Sequence, residues 1–295
     1  MTPALNEVVV GIDGGGSHVR AVATLDGRII FTGQGGPGNP LATDQATLFD
    51  SYRDALAGCP TPSRVGACIS GAGGATGRQA ITDIVSQLIP GAPSVVSADY
   101  VATVWAAPNY DLWVIAGTGS LVASHEKDRL VTSGGRGWIL GDHGSAARLG
   151  RGVMEHYLED PSSNTDLAVE IFAIAGTDIW TELLRGLNTS QSPAAWLAKF
   201  APLATRQASN GDGWATNLLE VEIGALAATT GRHVARYLDG SQNISLCLAG
   251  GVWNSQLAVD VYCQALKRIT SCSLRIERPT IDAAIGAIAF ANGTQ

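Results

Sequence analysis

The feature that most constrains the fold is a glycine-rich loop set between two strand patterns near the N-terminus. The apolar run Val8–Val10 leads through Asp13 into Gly14–Ser17, which we call the first glycine loop. Residues 19–32 read as two short strands joined at Asp26-Gly27, which predicts a β-hairpin. In a dinucleotide-binding unit the glycine loop leads into a helix, so the hairpin argues against that class. An ordinary glycine-rich turn is the alternative for this stretch taken alone.

The first glycine loop has the composition of a phosphate-binding turn. Gly14, Gly15 and Gly16 carry no Cβ, so a ligand can approach their backbone closely, and Ser17 completes the loop. Consecutive backbone N–H groups in such a turn form a concavity that suits an anion. Asp13 adds a carboxylate of the kind that holds Mg²⁺, usually through waters. The stretch therefore predicts a site for phosphate and Mg²⁺.

The same design occurs a second time along the chain. An apolar strand, Leu112–Ala116, leads into Gly117–Ser120, the second glycine loop, and residues 121–133 again read as two strands around a polar turn. Repetition of this kind fixes architecture. The paired loops predict two similar domains, each with a phosphate loop, that face one cleft.

A third glycine turn follows a buried strand pattern in the C-terminal half. Residues 244–249 predict the strand, Gly250-Gly251 the turn, and either Asn254 or Ser255 the N-cap of a helix that runs to Lys267. A strand, a tight turn and a helix N-terminus together are a usual place for the ribose or phosphate of a nucleotide.

Charge and composition exclude several other functions. The 295 residues carry a net charge of −7, which argues against a nucleic-acid partner. No apolar run reaches the length of a membrane span, and the N-terminal residues lack the pattern of a signal peptide. The five cysteines show no CxxC spacing and lie mostly in apolar runs, which favours free thiols in a reducing compartment. We therefore expect a cytoplasmic protein without membrane or nucleic-acid partners.

Taken together, the motifs resemble a known family. The chain is similar to the sugar kinases of the actin-like ATPase superfamily, and more narrowly to the BadF/BadG/BcrA/BcrD type that contains N-acetylglucosamine and glucosamine kinases. The stretches that carry the resemblance occur in the family's order, and they are GIDGGGS (11–17), SAD (97–99), AGTGS (116–120), GGRGWILGDHGS (134–145), LAGGVWNS (248–255) and DAAIGAIAFA (282–291). Residues from about 159 to 210 show no match.

The resemblance implies an α/β fold with two ribonuclease-H-like domains and an interdomain cleft that closes on ATP and sugar. It places the N-terminal domain at residues 1–108 plus 282–295 and the C-terminal domain at residues 109–281. The C-terminal helix is expected to pack back on the N-terminal domain. Dimers are common among such kinases, so a homodimer is compatible with the resemblance, although no stretch of the sequence signals an interface.

The resemblance also implies roles for individual residues. Asp13 would position Mg²⁺, and Asp99 would be the catalytic base that takes the proton from the sugar hydroxyl. The residues that would bind ATP are Gly14, Gly15, Gly16, Ser17, Gly117, Thr118, Gly119, Gly250, Gly251 and Asn254. Those that would contact the sugar are Asn39, Asp99, Ser120, Gly135 and Asp142.

Three residues depart from the family's pattern near the expected sugar contacts. His143 replaces a glutamate, Leu121 replaces a frequent asparagine, and Arg136 stands where an aromatic residue is often found. These departures bear on the identity of the sugar, whereas the two glycine loops retain the pattern.

The sequence therefore predicts an ATP-dependent kinase that phosphorylates N-acetylglucosamine or glucosamine at the 6-hydroxyl. The alternative is an ATPase of the same family that activates a partner protein. Activating members hold an iron–sulfur cluster through cysteines, and no cysteine here lies in a comparable glycine-flanked loop, which weighs against that alternative. A sugar-sensing regulator is less favoured, because the sequence has no helix-turn-helix extension or basic patch.

Overall fold

A computed structural model describes residues 7–161, 165–190, 192–238 and 240–293. These residues form two compact units. The first unit combines Met1–Pro108 with Thr280–Gln295, and the second is Asn109–Pro279.

The first unit is built on a mixed five-stranded sheet in the order β3-β2-β1-β4-β5. Strands β1 to β3 are antiparallel neighbours, while β4 and β5 run parallel to β1. Its elements are β1 (Val8–Gly14), β2 (Val19–Leu25), β3 (Arg28–Gly35), α1 (Gln45–Ala55), β4 (Arg64–Ile69), α2 (Ala75–Leu88), β5 (Ser94–Ser97), α3 (Asp99–Ala106) and the C-terminal α11 (Ala283–Gly293).

The second unit repeats this topology in a sheet of order β10-β9-β6-β7-β8. Strands β6 to β8 form the antiparallel part, and β9 and β10 run parallel to β6. Its elements are β6 (Leu112–Ala116), β7 (Ser120–Glu126), β8 (Arg129–Gly134), α4 (Ala146–Glu159), α5 (Thr165–Ala175), α6 (Trp180–Thr189), α7 (Pro193–Ala198), α8 (Ala201–Ser209), α9 (Gly213–Tyr237), β9 (Asn243–Ala249), a 3₁₀ turn (Gly251–Asn254), α10 (Gln256–Lys267) and β10 (Ser273–Glu277). The predicted α/β class and the repeated hairpin sheet are confirmed.

Small residues let the C-terminal helix α11 lie directly on the first sheet. A Cβ added to Gly11 on β1 would lie 2.0 Å from the Ala284 carbonyl oxygen, and one added to Gly66 on β4 would lie 2.0 Å from that of Ala287. Glycine is needed at both positions because the backbones touch. The helix therefore packs where the family resemblance places it.

Tertiary contacts decide several local details. Ser97 has the side chain of a typical helix cap, but the N-cap of α3 is Ala98. Ser255 is the N-cap of α10, and its hydroxyl accepts from the Ala258 N–H, which resolves the choice left open with Asn254. The described residues between 165 and 209 form four short helices, α5 to α8. Among the described residues, no helix is long and apolar enough to cross a membrane.

A buried histidine joins helix α9 to the hairpin of the second sheet. His233 is 1% exposed. Its Nδ1 lies 2.8 Å from the Ser133 hydroxyl on β8, and its Nε2 lies 2.9 Å from the Ser124 hydroxyl on β7. Desolvation lowers its pKa to about 4, so the ring is neutral at pH 7 and uses both nitrogens in hydrogen bonds.

We predict that His233 makes the second unit sensitive to acid. The unfolded chain binds this proton near pH 6.5 and the folded chain only near pH 4. The free energy of unfolding should therefore fall as the pH drops through this window, by about 3 kcal/mol in total. His233→Gln should remove this part of the pH dependence. Denaturant unfolding followed by tryptophan fluorescence would measure it, because tryptophans 113, 138, 180, 196, 214 and 253 all lie in this unit.

His125→Gln, at an exposed position on β7, is the matched control and should leave the acid slope in place. If wild type and His233→Gln lose stability in parallel between pH 7 and pH 4, the buried histidine is not the acid-sensitive group.

Candidate functional site

The first glycine loop lies at the carboxyl end of β1. Parallel pairing aligns Asp13 with Cys68 on β4 and aligns Cys68 with Ser97 on β5. Backbone hydrogen bonds hold the loop to its surroundings. The Gly15 N–H donates to the carbonyl of His18, and the carbonyls of Gly14 and Gly15 accept from the N–H groups of Ser70 and Gly38. The carboxyl ends of three strands thus meet at the edge that carries the loop.

Asp99 is the first residue of α3, two residues beyond the end of this strand row. The Tyr100 N–H donates to its Oδ1 at 2.9 Å. Desolvation raises the pKa of Asp99, and bonds from the backbone N–H groups of Tyr100 and Asp99 oppose that rise. The negative charge of Asp99 in turn raises the pKa of Asp13.

The environment of Asp13 favours a positive partner. The pKa of Asp13 is raised to about 6, mainly by desolvation and to a smaller extent by the negative charge of Asp99. The positive charges of His18 and Arg20 lower this pKa. Arg20 is the direct cross-strand partner of Asp13. A bidentate ion pair with Asp282, at 2.7 and 3.0 Å, holds the Arg20 guanidinium. Asp282 also accepts from the Ala284 and Ile285 N–H groups at the start of α11.

Asn39 closes a turn beside the loop that follows β4. Its Oδ1 accepts from the Leu41 N–H at 2.9 Å. A Cβ added at Gly71 would lie 2.2 Å from the same oxygen, and Gly71 has a φ of +87°, so glycine is required there. In the first unit, the structure thus places Asp13 at the end of β1, the first glycine loop directly after it, Asn39 in the loop after β3, and Asp99 just after β5.

The second glycine loop is bonded to the turn that precedes α4. The Ala146 N–H donates to the Gly117 carbonyl at 2.8 Å and the Ala147 N–H to that of Thr118 at 3.2 Å. The Ser120 hydroxyl donates to the His143 carbonyl at 2.7 Å. The loop and the turn therefore form one backbone assembly.

The predicted sugar contacts of the second unit lie around this assembly. Ser120 is 5% exposed. The Gly135 N–H donates to the Ser120 carbonyl at 3.0 Å. Asp142 has a φ of +51°, and its Oδ1 accepts from the Gly137 N–H at 3.2 Å. The structure thus brings Ser120, Gly135 and Asp142 together in one region.

The third glycine turn contacts the second glycine loop and borders a cavity. A Cβ added at Gly250 would lie 2.4 Å from the Ala116 carbonyl oxygen, and its φ is +104°. Gly251 and Asn254 line a cavity of about 650 Å³ whose opposite wall comes from α8. The other lining residues are Ala146, Leu149, Ala198, Ala201, Pro202, Thr205, Arg206, Ser209, Val252, Ser255, Gln256 and Leu257. The mostly apolar wall and a few polar side chains suit a planar base.

The glycines of these loops fall into two classes. Gly250 is required by internal packing, because an added Cβ would lie 2.4 Å from a backbone oxygen, whereas at Gly119 an added Cβ would meet only the Asp142 side chain, at 2.8 Å. Gly15, Gly117 and Gly251 have open space where a Cβ would stand. Internal packing does not explain these three glycines, whereas close approach of a ligand would.

The first unit offers a donor set that fits Mg²⁺ shared with phosphate. No cluster of three or more metal-binding side chains occurs in the described part of the chain. Mg²⁺ in phosphate-transfer sites commonly binds through one or two carboxylates, with waters and substrate phosphates as the remaining ligands. Asp13 beside an open glycine loop matches that pattern.

Sequence reasoning missed two ion pairs near the predicted residues. Arg20 and Asp282 form the ion pair next to Asp13, and Asp282 is the first residue of the C-terminal stretch that carries the family resemblance. Glu222 on α9 pairs with Arg148 at 2.6 Å and is only 4% exposed. Its position between Leu219 and Leu226, on the apolar stripe of the helix, was a signal that could have been used.

Comparison with known proteins identifies relatives across nearly the whole chain. The model of the BadF/BadG/BcrA/BcrD ATPase family matches residues 10–291. A search of curated proteins found no match.

Several solved structures share the fold. A proposed N-acetylglucosamine kinase from Chromobacterium violaceum is 25% identical, with a TM-score of 0.72 and coverage of 97% of this chain and 99% of that one. A proposed N-acetylglucosamine kinase from Porphyromonas gingivalis is 16% identical, with a TM-score of 0.76 and the same coverages. A ROK family glucokinase from Streptomyces griseus, solved with glucose and AMPPNP, is 17% identical, with a TM-score of 0.61 and coverage of 97% and 98%.

The open glycines predict a test of ligand approach. Gly15→Ala and Gly117→Ala place a methyl group in free space, so the thermal unfolding midpoint should stay within a few degrees of wild type. Loss of one backbone contact to a phosphate costs about 1.5–3 kcal/mol, so the affinity for ATP should fall about 10- to 100-fold. Calorimetric titration with a non-hydrolysable ATP analogue would measure it.

Gly213→Ala is the control, because Gly213 also has open space around its Cβ position but lies at the exposed start of α9. Wild-type affinity in both loop variants would show that the glycine loops do not approach phosphate.

Proposed function

Because the chain belongs to the BadF/BadG/BcrA/BcrD ATPase family, we propose that it is an ATP-dependent kinase of an amino sugar. The acceptor is N-acetylglucosamine or glucosamine, and the group phosphorylated is the 6-hydroxyl. The observation that carries this proposal is that Asp13, at the end of β1, and Asp99, just after β5, both lie at the carboxyl edge of the sheet that bears the first glycine loop. Phosphoryl transfer needs phosphate binding and an aligned, activated hydroxyl.

The nucleotide is assigned to both glycine loops and to the cavity beside the third glycine turn. Backbone N–H groups of the first and second loops bind the phosphates. Gly250, Gly251 and Asn254 border the adenosine, whose base lies against the apolar wall between α8 and the 3₁₀ turn. The open space at Gly15, Gly117 and Gly251 supports this assignment.

Mg²⁺ is assigned to Asp13, where it would neutralise charge on the transferred phosphate. Arg20 lies across the strand pair from Asp13 and is held by Asp282, so its positive charge offsets that of the Asp13 carboxylate. This arrangement keeps two interacting carboxylates near one another at a site that also receives phosphate.

Asp99 is assigned as the general base. Its carboxylate takes the proton of the sugar hydroxyl as the oxygen attacks the terminal phosphate. Asp99 is exposed at the start of α3, where a sugar hydroxyl can reach its carboxylate. The Tyr100 N–H bond to Oδ1 and the N-terminus of α3 favour the anionic form that a general base needs.

The sugar is assigned to Asn39, Ser120, Gly135 and Asp142 together with Asp99. The amide of Asn39 and the carboxylate of Asp142 supply polar groups suited to hydroxyls. The amino-sugar class is supported by the names of the structural relatives from C. violaceum and P. gingivalis, both proposed N-acetylglucosamine kinases. A cytoplasmic location, where ATP and phosphorylated sugars occur, is part of this proposal.

We predict that ADP release by the purified protein depends on an amino sugar. The assay combines protein, ATP, Mg²⁺ and a panel of N-acetylglucosamine, glucosamine, N-acetylmannosamine and glucose. Asp99→Asn should lower kcat by about 100-fold or more, because it removes the base, while ATP affinity stays near wild type. The exposed Asp54→Asn on α1 is the matched control and should keep full activity.

Two results would refute parts of the proposal. ADP release that is independent of every sugar would refute the kinase and favour the ATPase that acts on a protein partner. Near-normal kcat in Asp99→Asn would refute the assignment of the base while leaving the kinase in place.

A further inference from the structure

Helix α9 carries a buried carboxylate that no expected contact with ATP or sugar uses. Glu222 is 4% exposed and lies among Leu219, Ile223 and Leu226. An ionised carboxylate is costly to bury unless charged and hydrogen-bonding partners compensate for the lost water. The partners of Glu222 therefore indicate what this carboxylate is for.

All of its polar partners lie in one short segment. Glu222 Oε1 accepts from Arg148 Nε at 3.0 Å and from Arg148 Nη2 at 2.6 Å. Its Oε2 accepts from the Gly144 N–H at 3.2 Å and lies 3.3 Å from His143 Nδ1. Desolvation would raise the pKa of Glu222, but the Arg148 and Gly144 bonds outweigh it and hold the pKa below its usual value, so the group is ionised at neutral pH.

The segment that Glu222 holds is the Gly141–Ser145 turn and the start of α4. The turn contains two left-handed residues, Asp142 with a φ of +51° and Gly144 with a φ of +74°. Such a backbone needs support from its surroundings, most of all at a residue with a side chain. Gly144 packs against α9 so closely that an added Cβ would lie 3.2 Å from the Glu222 carbonyl oxygen.

The other side of the turn contacts the predicted ligand groups. The Ser120 hydroxyl donates to the His143 carbonyl, and α4 donates to Gly117 and Thr118. A Cβ added at Gly119 would lie 2.8 Å from Asp142 Oδ2, so the loop and the Asp142 carboxylate are in close contact. The turn thus lies between the buried carboxylate and the second glycine loop.

We propose that Glu222 is a positioning residue, whose buried carboxylate fixes the Gly141–Ser145 turn and thereby orients Asp142 toward the sugar. The role of Asp142 rests on the proposed kinase function, whereas the fixing of the turn does not. Glu222 touches neither ligand and acts through the Gly144 N–H and Arg148. The second glycine loop keeps its own bonds from α4, so the effect falls more on the sugar than on ATP.

Glu222→Gln tests this proposal, since it keeps the size of the side chain and removes its charge. A misplacement of about 1 Å can cost about 100-fold in rate. We expect kcat/KM for the sugar to fall about 10- to 100-fold, mainly through KM, with KM for ATP changed less than about 3-fold. Glu222→Asp keeps the charge but shortens the reach, and should recover part of the loss. Glu220→Gln, exposed on the same helix, is the matched control.

Hydrogen exchange followed by mass spectrometry gives a readout that needs no activity. Amides of residues 141–145 should exchange about 10-fold or more faster in Glu222→Gln than in wild type or Glu220→Gln, because a local opening that costs about 1.4 kcal/mol less is tenfold more frequent. Unchanged exchange there, or an unchanged sugar KM in an active enzyme, would overturn the proposal. If Glu222→Gln does not fold, Glu222→Asp decides by the same two measurements.

The two proposals fail separately. Wild type that phosphorylates no sugar refutes the kinase, and the exchange rates still decide whether Glu222 fixes the turn. Active wild type with equal sugar KM in Glu222→Gln refutes only the positioning role.

Discussion

The parallel pairing of β1 with β4 and of β6 with β9 is the constraint on which the rest of the structure depends. Parallel strands bring their carboxyl ends to one edge, and every predicted site element follows such an end or the adjoining hairpin. In the first sheet the pairing sets Asp13, Cys68 and Ser97 in one row and brings Asp99 near. In the second it brings Gly250 against the start of the second glycine loop.

Close backbone contacts at glycines allow helices to pack directly on these parallel strands. Helix α11 can lie on β1 and β4 because Gly11 and Gly66 leave room for its carbonyl groups. Its first turn is capped by Asp282, which also holds Arg20 opposite Asp13. One residue at the far end of the chain therefore influences the charge around the carboxylate assigned to Mg²⁺. The second unit uses Glu222 in a comparable way, with a buried charge that supports a loop rather than a ligand.

These supporting groups explain why a site made of short loops can have a defined geometry. Loops with left-handed residues such as Asp142 and Gly144 need contacts that stabilise them. The contacts come from the rigid elements behind them: α9 through Glu222, and α4 through its first backbone N–H groups. A family resemblance identifies the loop residues, whereas the contacts behind the loops are seen only in the folded chain.

The sequence by itself determined the hairpin units, both glycine loops, the repeated α/β architecture and the family to which the chain belongs. Those features are local: a strand period of two, a turn dipeptide and a run of glycines each act within a few residues. Only the tertiary structure decided that Arg20 pairs with Asp282 and Arg148 with Glu222, which are separated by 262 and 74 residues. It also decided the Ala98 cap and the four short helices α5 to α8. The physical reason is that the packing of strands and helices decides which charged side chains come into contact. A local sequence pattern covers only a few neighbouring residues and cannot specify such a contact.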